Sequence, residues 1–392
     1  MSVTFNQQII KKENKMLVLQ KIRSSGQISR AAIAQQTGLN KGTVSSLVSE
    51  LLTEQLVIEI GQGTSSGGRR PVLLQFNEKA GYSIGIDIGV NDIYSLLTDL
   101  SGNIIYKNRK MTKHLSLEQF EHVLIAEIKS VINLTPTSPY GIVGIGIAIP
   151  GLIDENHSIL IAPNLGWKNY DLKAKLMESF DIPVLIENEA NAGAFGEMTF
   201  GSAQGIDHLV YVSVGMGIGT GAIINGELYT GDSGFSGEFG HMTVQMDGIT
   251  CSCGNKGCWE LYASEQFLER HAPESFKIND DYLIDLLEGA NNGNQACIDL
   301  LEQTARNLSV GIVNIIHALN PQMIIIGNRL SALKQALESS VQTYVNQHIL
   351  TSHQNINIVQ FSENHFPASA LGMTAFTLNR FIQQHFELET FV

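Results

Sequence analysis

The sequence has 392 residues, 43% hydrophobic and 16% charged, with 37 glycines; this length and balance exclude disordered and fibrous classes and fit a loop-rich α/β protein of more than one folding unit. No apolar run reaches the roughly 20 residues that span a bilayer, and the start is polar, without a signal-peptide core, so the expected location is the cytoplasm. The net charge of −13 argues against general nucleic-acid affinity, yet through Phe76 nine Lys or Arg stand against four Glu, which leaves a +5 head on a −18 body. Chance clustering gives the same imbalance, so the charge has meaning only if the head also has the elements of a DNA reader.

Taken in chain order, Met16, Leu17, Leu19 and Ile22 mark a helix over residues 14–24. Ser29 can cap a second helix, Arg30–Thr37, which Gly38 closes. Asn40 then caps a third. Its Val44, Leu47, Val48 and Leu51 form one apolar face and leave Lys41, Thr43, Ser45, Ser46 and Ser49 pointing elsewhere. Small polar side chains let a backbone approach base edges, and Lys41 at the helix start meets phosphate or guanine. Segments 57–60 and 72–76 alternate like two strands around a glycine-rich loop containing Gly67-Gly68-Arg69-Arg70-Pro71. This reads as a wing, whose two arginines can enter a narrow minor groove. The expectation is a winged helix-turn-helix with Asn40, Lys41, Thr43, Ser45, Ser46, Ser49, Arg69 and Arg70 toward DNA. A small helical oligomerisation module with a solvated loop is the competing reading.

From Gly81 onward the pattern changes to strands buried on both faces, at 83–88, Ile142–Ile149, 184–186, Leu209–Val214, 323–326 and 356–359. Helical stretches at about 117–131, 172–180, 190–200, 300–318 and 370–383 lie between or after them. Each half begins near a glycine-rich turn of the phosphate-binding type, at 85–89 and 215–221. No short repeat and no low-complexity segment is present.

Two clusters of side chains carry chemistry. His241, Cys251, Cys253 and Cys258 follow the spacing His-x9-Cys-x-Cys-x4-Cys around glycines, which suits one tetrahedral structural zinc per chain; four protein ligands leave no open position for a metal-bound water. Cys297 reads as an apolar filler. Asn164, Asn188, Glu189, Glu238, His241 and Glu260 recur at glycine-flanked strand ends and turns, and such a set of amides, carboxylates and imidazole can grip the hydroxyls of a sugar. Each of them alone is an ordinary turn or helix-start residue. If one nitrogen of His241 binds zinc, the other becomes an oriented donor toward the sugar.

Several runs together resemble the ROK family of repressors and sugar kinases over nearly the full length. They are Gly85-Ile86-Asp87-Ile88-Gly89, Ile149-Pro150-Gly151-Leu152, Ile186-Glu187-Asn188-Glu189-Ala190-Asn191-Ala192, Gly215-Met216-Gly217-Ile218-Gly219-Thr220-Gly221, Gly237-Glu238-Phe239-Gly240-His241 and the segment from Cys251 to Glu260. The head, with Gly38-Leu39-Asn40-Lys41 and Ser65 through Val72, is similar to that of the xylose repressors of Gram-positive bacteria. The resemblance implies a winged helix-turn-helix domain at 1–78 followed by an actin-like (ribonuclease H-like) two-lobed sugar-binding domain at 79–392. In it the first lobe covers about 79–186 plus the C-terminal helix, and the second about 187–370 with a zinc knot at 241–258. It also implies a homodimer on a palindromic operator, released by xylose or a related sugar held by the six residues above.

The family's kinases carry Asp as general base where this chain has Glu189, and Gly-Thr in the first phosphate turn where it has Val90-Asn91. An extra methylene displaces the carboxylate, and a branched side chain stands where backbone should approach phosphate; phosphoryl transfer depends on such positioning. No kinase activity is expected. A sugar kinase with an appended DNA head, and a repressor sequestered by a protein partner, are the competing readings.

Overall fold

The computed structural model describes residues 2–62, 70–154, 156–273, 282–353, 358–363 and 366–386. Helix α1 (Ser2–Ser25) begins well before the expected 14–24. Its polar early turns lack apolar spacing and are tied laterally instead, through Lys11 to Glu50 at 2.7 Å and Lys15 to both Glu50 and Glu54. A short strand β1 (Ile28–Ser29), which no sequence signal announces, precedes α2 (Arg30–Thr37). Ser29 Oγ accepts the Ala32 N–H at 3.2 Å and Gly38 closes the helix at φ 74°, both as local capping chemistry requires. In α3 (Lys41–Thr53) the Asn40 carboxamide accepts the Thr43 N–H at 2.8 Å, and Val44, Leu47, Val48 and Leu51 are buried. Strands β2 (Val57–Gln62) and β3 (Val72–Phe76) pair antiparallel as the wing, with β1 on the far side of β3. Residues 63–69 of the wing loop, including Arg69, lie outside the described residues.

The body repeats one sheet topology twice. Strands β4 (Tyr82–Ile88), β5 (Asp92–Asp99) and β6 (Ile104–Met111) form an antiparallel meander. After helix α4 (Leu117–Leu134), β7 (Ile142–Ile149) pairs parallel with β4. A small three-stranded sheet, β8 (Leu152–Ile153), β9 (Ile159–Ala162) and β10 (Trp167–Tyr170), and helix α5 (Leu172–Ser179) lead to β11 (Val184–Asn188), parallel to β7. Beyond helix α6 (Glu189–Thr199) the same order recurs. Strands β12 (Leu209–Val214), β13 (Ile218–Ile224) and β14 (Glu227–Leu228) make the second meander. Short helices α7 (Glu260–Ala263), α8 (Glu265–His271) and α9 (Tyr282–Asn291) and the long α10 (Gln295–Leu319) precede β15 (Met323–Gly327), parallel to β12. Helix α11 (Lys334–His348) then leads to β16 (Val359–Phe361), parallel to β15. The sheet orders are thus β6-β5-β4-β7-β11 and β14-β13-β12-β15-β16, the paired halves of an actin-like fold. Of the strand expected at 356–359, residues 356 and 357 lie outside the described residues and the pairing starts at Val359. Among the described residues no helix is long and apolar enough to cross a membrane.

Helix α12 (Ala368–Phe386) packs on β4 and β7, α6 packs on β12 and β13, and the two helices cross each other between the sheets. Glycine makes this crossing possible. A Cβ on Gly372 would sit 1.7 Å from the Ala192 carbonyl oxygen, and one on Gly85 only 2.0 Å from that of Ala370. The glycine-rich runs are not turns throughout: Gly85 lies within β4, and Gly219 and Gly221 within β13; Gly85 and Gly221 admit helix backbones, Gly219 faces the Ala190 and Glu189 side chains, and none of the three forms a turn around a phosphate. Only residues 89–91 and 215–217 turn. The far end of α12 enters the head, where Leu378 and Phe386 are buried in one apolar cluster with Val18, Leu19 and Leu47.

Gly372→Ala is expected to destabilise the chain by about 3 kcal/mol, the upper part of the range for overpacking, because the added methyl meets backbone and not a movable side chain. Thermal melts of the variant and of Gly293→Ala, whose Cβ position is open but left-handed (φ 81°), check it: the Gly372 variant should lose more.

Candidate functional site

The two sheets face each other across a cleft of about 1350 Å³. All six side chains expected to grip a sugar line it: Asn164, Asn188, Glu189, Glu238, His241 and Glu260. Asn164 sits in a single turn after β9, Asn188 ends β11, Glu189 opens α6, Glu238 and His241 bracket a second turn, and Glu260 opens α7. Strand ends and first helical turns converge here because consecutive elements of both halves finish on the same side of their sheets. Asn188 is largely committed to structure. Its Oδ1 caps α6 through the Ala190 and Asn191 N–H groups, and its Nδ2 donates to the Gly151 carbonyl at 2.9 Å. Glu260 lies against Gly217, where a Cβ would come within 2.7 Å of Oε2.

Buried carboxyls define the floor of the cleft. Asp87, only 6% exposed, accepts the Ser369 hydroxyl at 2.5 Å. Burial, reinforced by the nearby Glu189 carboxylate, pushes its carboxyl up to about 8. Burial also raises Glu189, against the hydrogen bonds of Ser213 and Asn328, which favour its charged form. Glu238 is raised by desolvation, with His241 opposing. Sequence reasoning gave no role to Asp87, although it stands inside a quoted motif. It also missed Asp92, buried at the start of β5 and held by Arg109 Nε and Nη2 at 2.8 and 2.7 Å, and Asn328 directly after β15. Arg109 reaches Asp92 across the β5–β6 reversal and Asn328 follows β15, far along the chain from Glu189, so no local spacing could have announced them.

His241, Cys251, Cys253 and Cys258 present ligand atoms that all lie within 4.8 Å of one another. Cys251 Sγ is 3.7 Å from His241 Nδ1, and Cys253 and Cys258 Sγ are 3.7 Å apart. Donors at about 2.0–2.3 Å from a tetrahedral ion are separated by about 3.5–3.8 Å, so the cluster could hold a metal. Nδ1 faces the thiols while Nε2 is 3.9 Å from Glu238 Oε2 at the cleft. Glu260 Oε1 lies 3.1 Å from Cys251 Sγ and 3.5 Å from Nδ1. The cluster therefore abuts the polar cleft through His241, which belongs to both, and through Glu260 beside Cys251.

On the head, Asn40, Lys41, Ser45, Ser46, Ser49 and Arg70 are exposed and Thr43 is half-buried. Asn40 spends its oxygen on the helix cap, and Ser49 bonds back to the Ser45 carbonyl at 2.9 Å. The outer face of α3 is thus low and polar.

A winged-helix head on an actin-like body with a polar interlobe cleft is the architecture of a regulator built on a sugar-kinase scaffold. The chain belongs to the ROK family, whose profile matches residues 83–380. It is 45% identical over 378 residues to the xylose repressor of Bacillus spizizenii, covering 96% of this chain and 98% of that protein. A solved ROK family transcriptional regulator, a homologue of the Escherichia coli MLC protein, superposes with a TM-score of 0.78 at 24% identity, over 96% and 98% of the two chains. A ROK family glucokinase from Streptomyces griseus, solved with glucose and AMPPNP, superposes with a TM-score of 0.66 at 27% identity, over 76% of this chain and 99% of that one.

Asp87 yields a stability prediction. The folded chain keeps its proton up to about pH 8, whereas an unfolded aspartate releases it near 3.8. Folded protein thus binds the proton that unfolded protein has lost, and this contribution to stability declines as pH rises from about 4 to 8. Asp87→Asn cannot ionise, so its melting temperature relative to wild type should rise between pH 5 and pH 8. Parallel pH profiles would contradict the assignment.

Proposed function

We propose that this chain is a sugar-responsive transcriptional repressor that binds a palindromic operator as a homodimer and is released by xylose held in the interlobe cleft. The observation that carries this reading is a single helix joining the two functions. At its start α12 lines the cleft with Ala368, and Ser369 bonds Asp87. At its end His385 Nε2 lies 3.2 Å from Glu54 Oε2, and Lys15 stands over the Phe386 ring at 5.5 Å. Tyr140 also donates to the Glu54 carbonyl at 2.9 Å, beneath the DNA-reading helix. A 19-residue helix is about 28 Å long and rigid on that scale. A lobe movement at the cleft is therefore delivered to the base of α3. Sugar bridging Asn164 and Asn188 on the side of the first sheet with Glu189, Glu238, His241 and Glu260 on the side of the second favours closure, which alters the spacing of two heads on their half-sites. The strong identity to a xylose repressor supports xylose as the effector.

Phosphoryl transfer fits the same cleft poorly. Besides Glu189 and Val90, the start of β5 places the buried Asp92 carboxylate against the first turn, one oxygen of it 2.5 Å from the Cβ position of Gly89. A phosphate seated there would meet negative charge, although Arg109 offsets part of it.

The donor set and its spacing fit zinc, one per chain, held by His241 Nδ1 and the three thiolates; bound there, the ion supplies structural bracing. The rest is the work of the residues. With Nδ1 committed, His241 keeps its proton on Nε2, aimed at the cleft, and Glu260 is held beside it.

Glu238→Ala should bind operator like wild type yet need at least about tenfold more xylose for release, the scale of a lost hydrogen bond to a charged group; operator-shift titrations with and without xylose measure it. Release of the variant at the wild-type concentration would misplace the pocket, and release of wild type by other sugars alone would reassign the effector.

Cys253→Ser should lower the zinc content below the roughly one ion per chain of wild type and weaken the xylose response. Elemental analysis together with the same titration tests this. A metal-free protein with full sugar affinity would remove zinc from the account.

A further inference from the structure

One residue in the cleft has a backbone at odds with its type. Asn328, directly after β15, has φ 63° and ψ −156°, a region that is sterically costly for any residue but glycine and persists only where the surroundings enforce it. Its own side chain supplies the enforcement. Nδ2 donates to Glu189 Oε2 at 3.1 Å and to Ser213 Oγ at 3.0 Å, and Oδ1 accepts the Arg329 backbone N–H at 2.8 Å. Ser213, near the end of β12, also bonds Glu189. The ring thus ties the ends of β12 and β15 to the first residue of α6. It also fits closely over Gly215, where a Cβ would lie 3.2 Å from Nδ2.

Strained backbone retained beside a binding cleft calls for a functional reason. Glutamate in an open cleft has several rotamers, and fixing it at the moment of binding would cost side-chain entropy. We propose that Asn328 is a positioning residue for the effector: it anchors Oε2 of Glu189 in advance and leaves Oε1 to accept a sugar hydroxyl. Oε1 lies on the side of Gly219, 3.4 Å from that residue's Cβ position. The assignment rests on the sugar-responsive reading above. Preorganisation of this kind improves affinity without adding a contact to the ligand.

The test uses full-length protein, an operator fragment and xylose, with wild type, Asn328→Gly, Asn328→Ala, Glu189→Ala and the Asn328→Gly/Glu189→Ala double variant. Asn328→Gly should bind operator as wild type does and hold its melting temperature, because glycine adopts the conformation freely. Its half-release xylose concentration should nevertheless rise about tenfold, as expected for losing a hydrogen bond to a carboxylate. Asn328→Ala should show the same rise with a lower melting temperature. In the Glu189→Ala background the Asn328→Gly change should add nothing, since it acts through that carboxylate; a purely structural role would shift both backgrounds equally. A wild-type release point for Asn328→Gly, or additive shifts in the double variant, overturns the assignment while leaving the sugar-responsive reading intact. Wild type that no xylose concentration releases overturns that reading, and this assignment with it.

Discussion

Helices α6 and α12 cross at backbone contact, with Gly372 against the Ala192 carbonyl and Gly196 against that of Ala368, and the placement of everything else follows from that crossing. Each helix belongs to a different sheet, so their approach sets the distance between the halves. Ordinary helix packing at 8–10 Å with larger side chains would push the sheets apart and widen the cleft. The first turns of both helices open into it, presenting Glu189 from one and Ala368 from the other. Close packing of this kind resists gradual deformation, which is what an element with two discrete arrangements requires.

The cleft concentrates acidic side chains. Asp87, Asp92 and Glu189 gather at its floor, and burial drives the first toward its neutral form. Asn328 and Ser213 give Glu189 fixed partners, so a residue that could serve as a proton acceptor in an enzyme is bound into a polar network. Polar networks of this type specify one arrangement when every member is satisfied.

The head is not hung on a free linker. Phe386, Leu378 and the head's own apolar residues share one cluster, and Tyr140, Glu54 and His385 connect the same parts through polar contacts. A helix that is simultaneously cleft wall and head core gives ligand binding a physical route to DNA binding.

Local chemistry made much of this protein legible from the amino-acid order alone. Helix caps at Ser29, Gly38 and Asn40, the apolar face of α3 and the strands buried on both faces are written in short windows, because their causes act within a few residues. The His/Cys cluster that could hold a metal was equally legible, since its four residues fall within one turn-rich segment, and of the six polar cleft residues all but Asn164 stand in family motifs. The antiparallel strands β5 and β6 went unread for different reasons: β6 is a half-exposed edge strand without a continuous apolar run, and in the buried β5 the run is broken by Asp92, Ser95, Thr98 and Asp99. Likewise, the glycines at 85, 219 and 221 look like phosphate turns in sequence and serve helix contact in space. The duplicated sheet order, the crossing of α6 and α12, the Asp92–Arg109 pair and the Asn328–Glu189 bond were decided only by tertiary structure. Each joins groups that are distant in sequence or separated by a chain reversal, and their pairing depends on packing that no local pattern encodes.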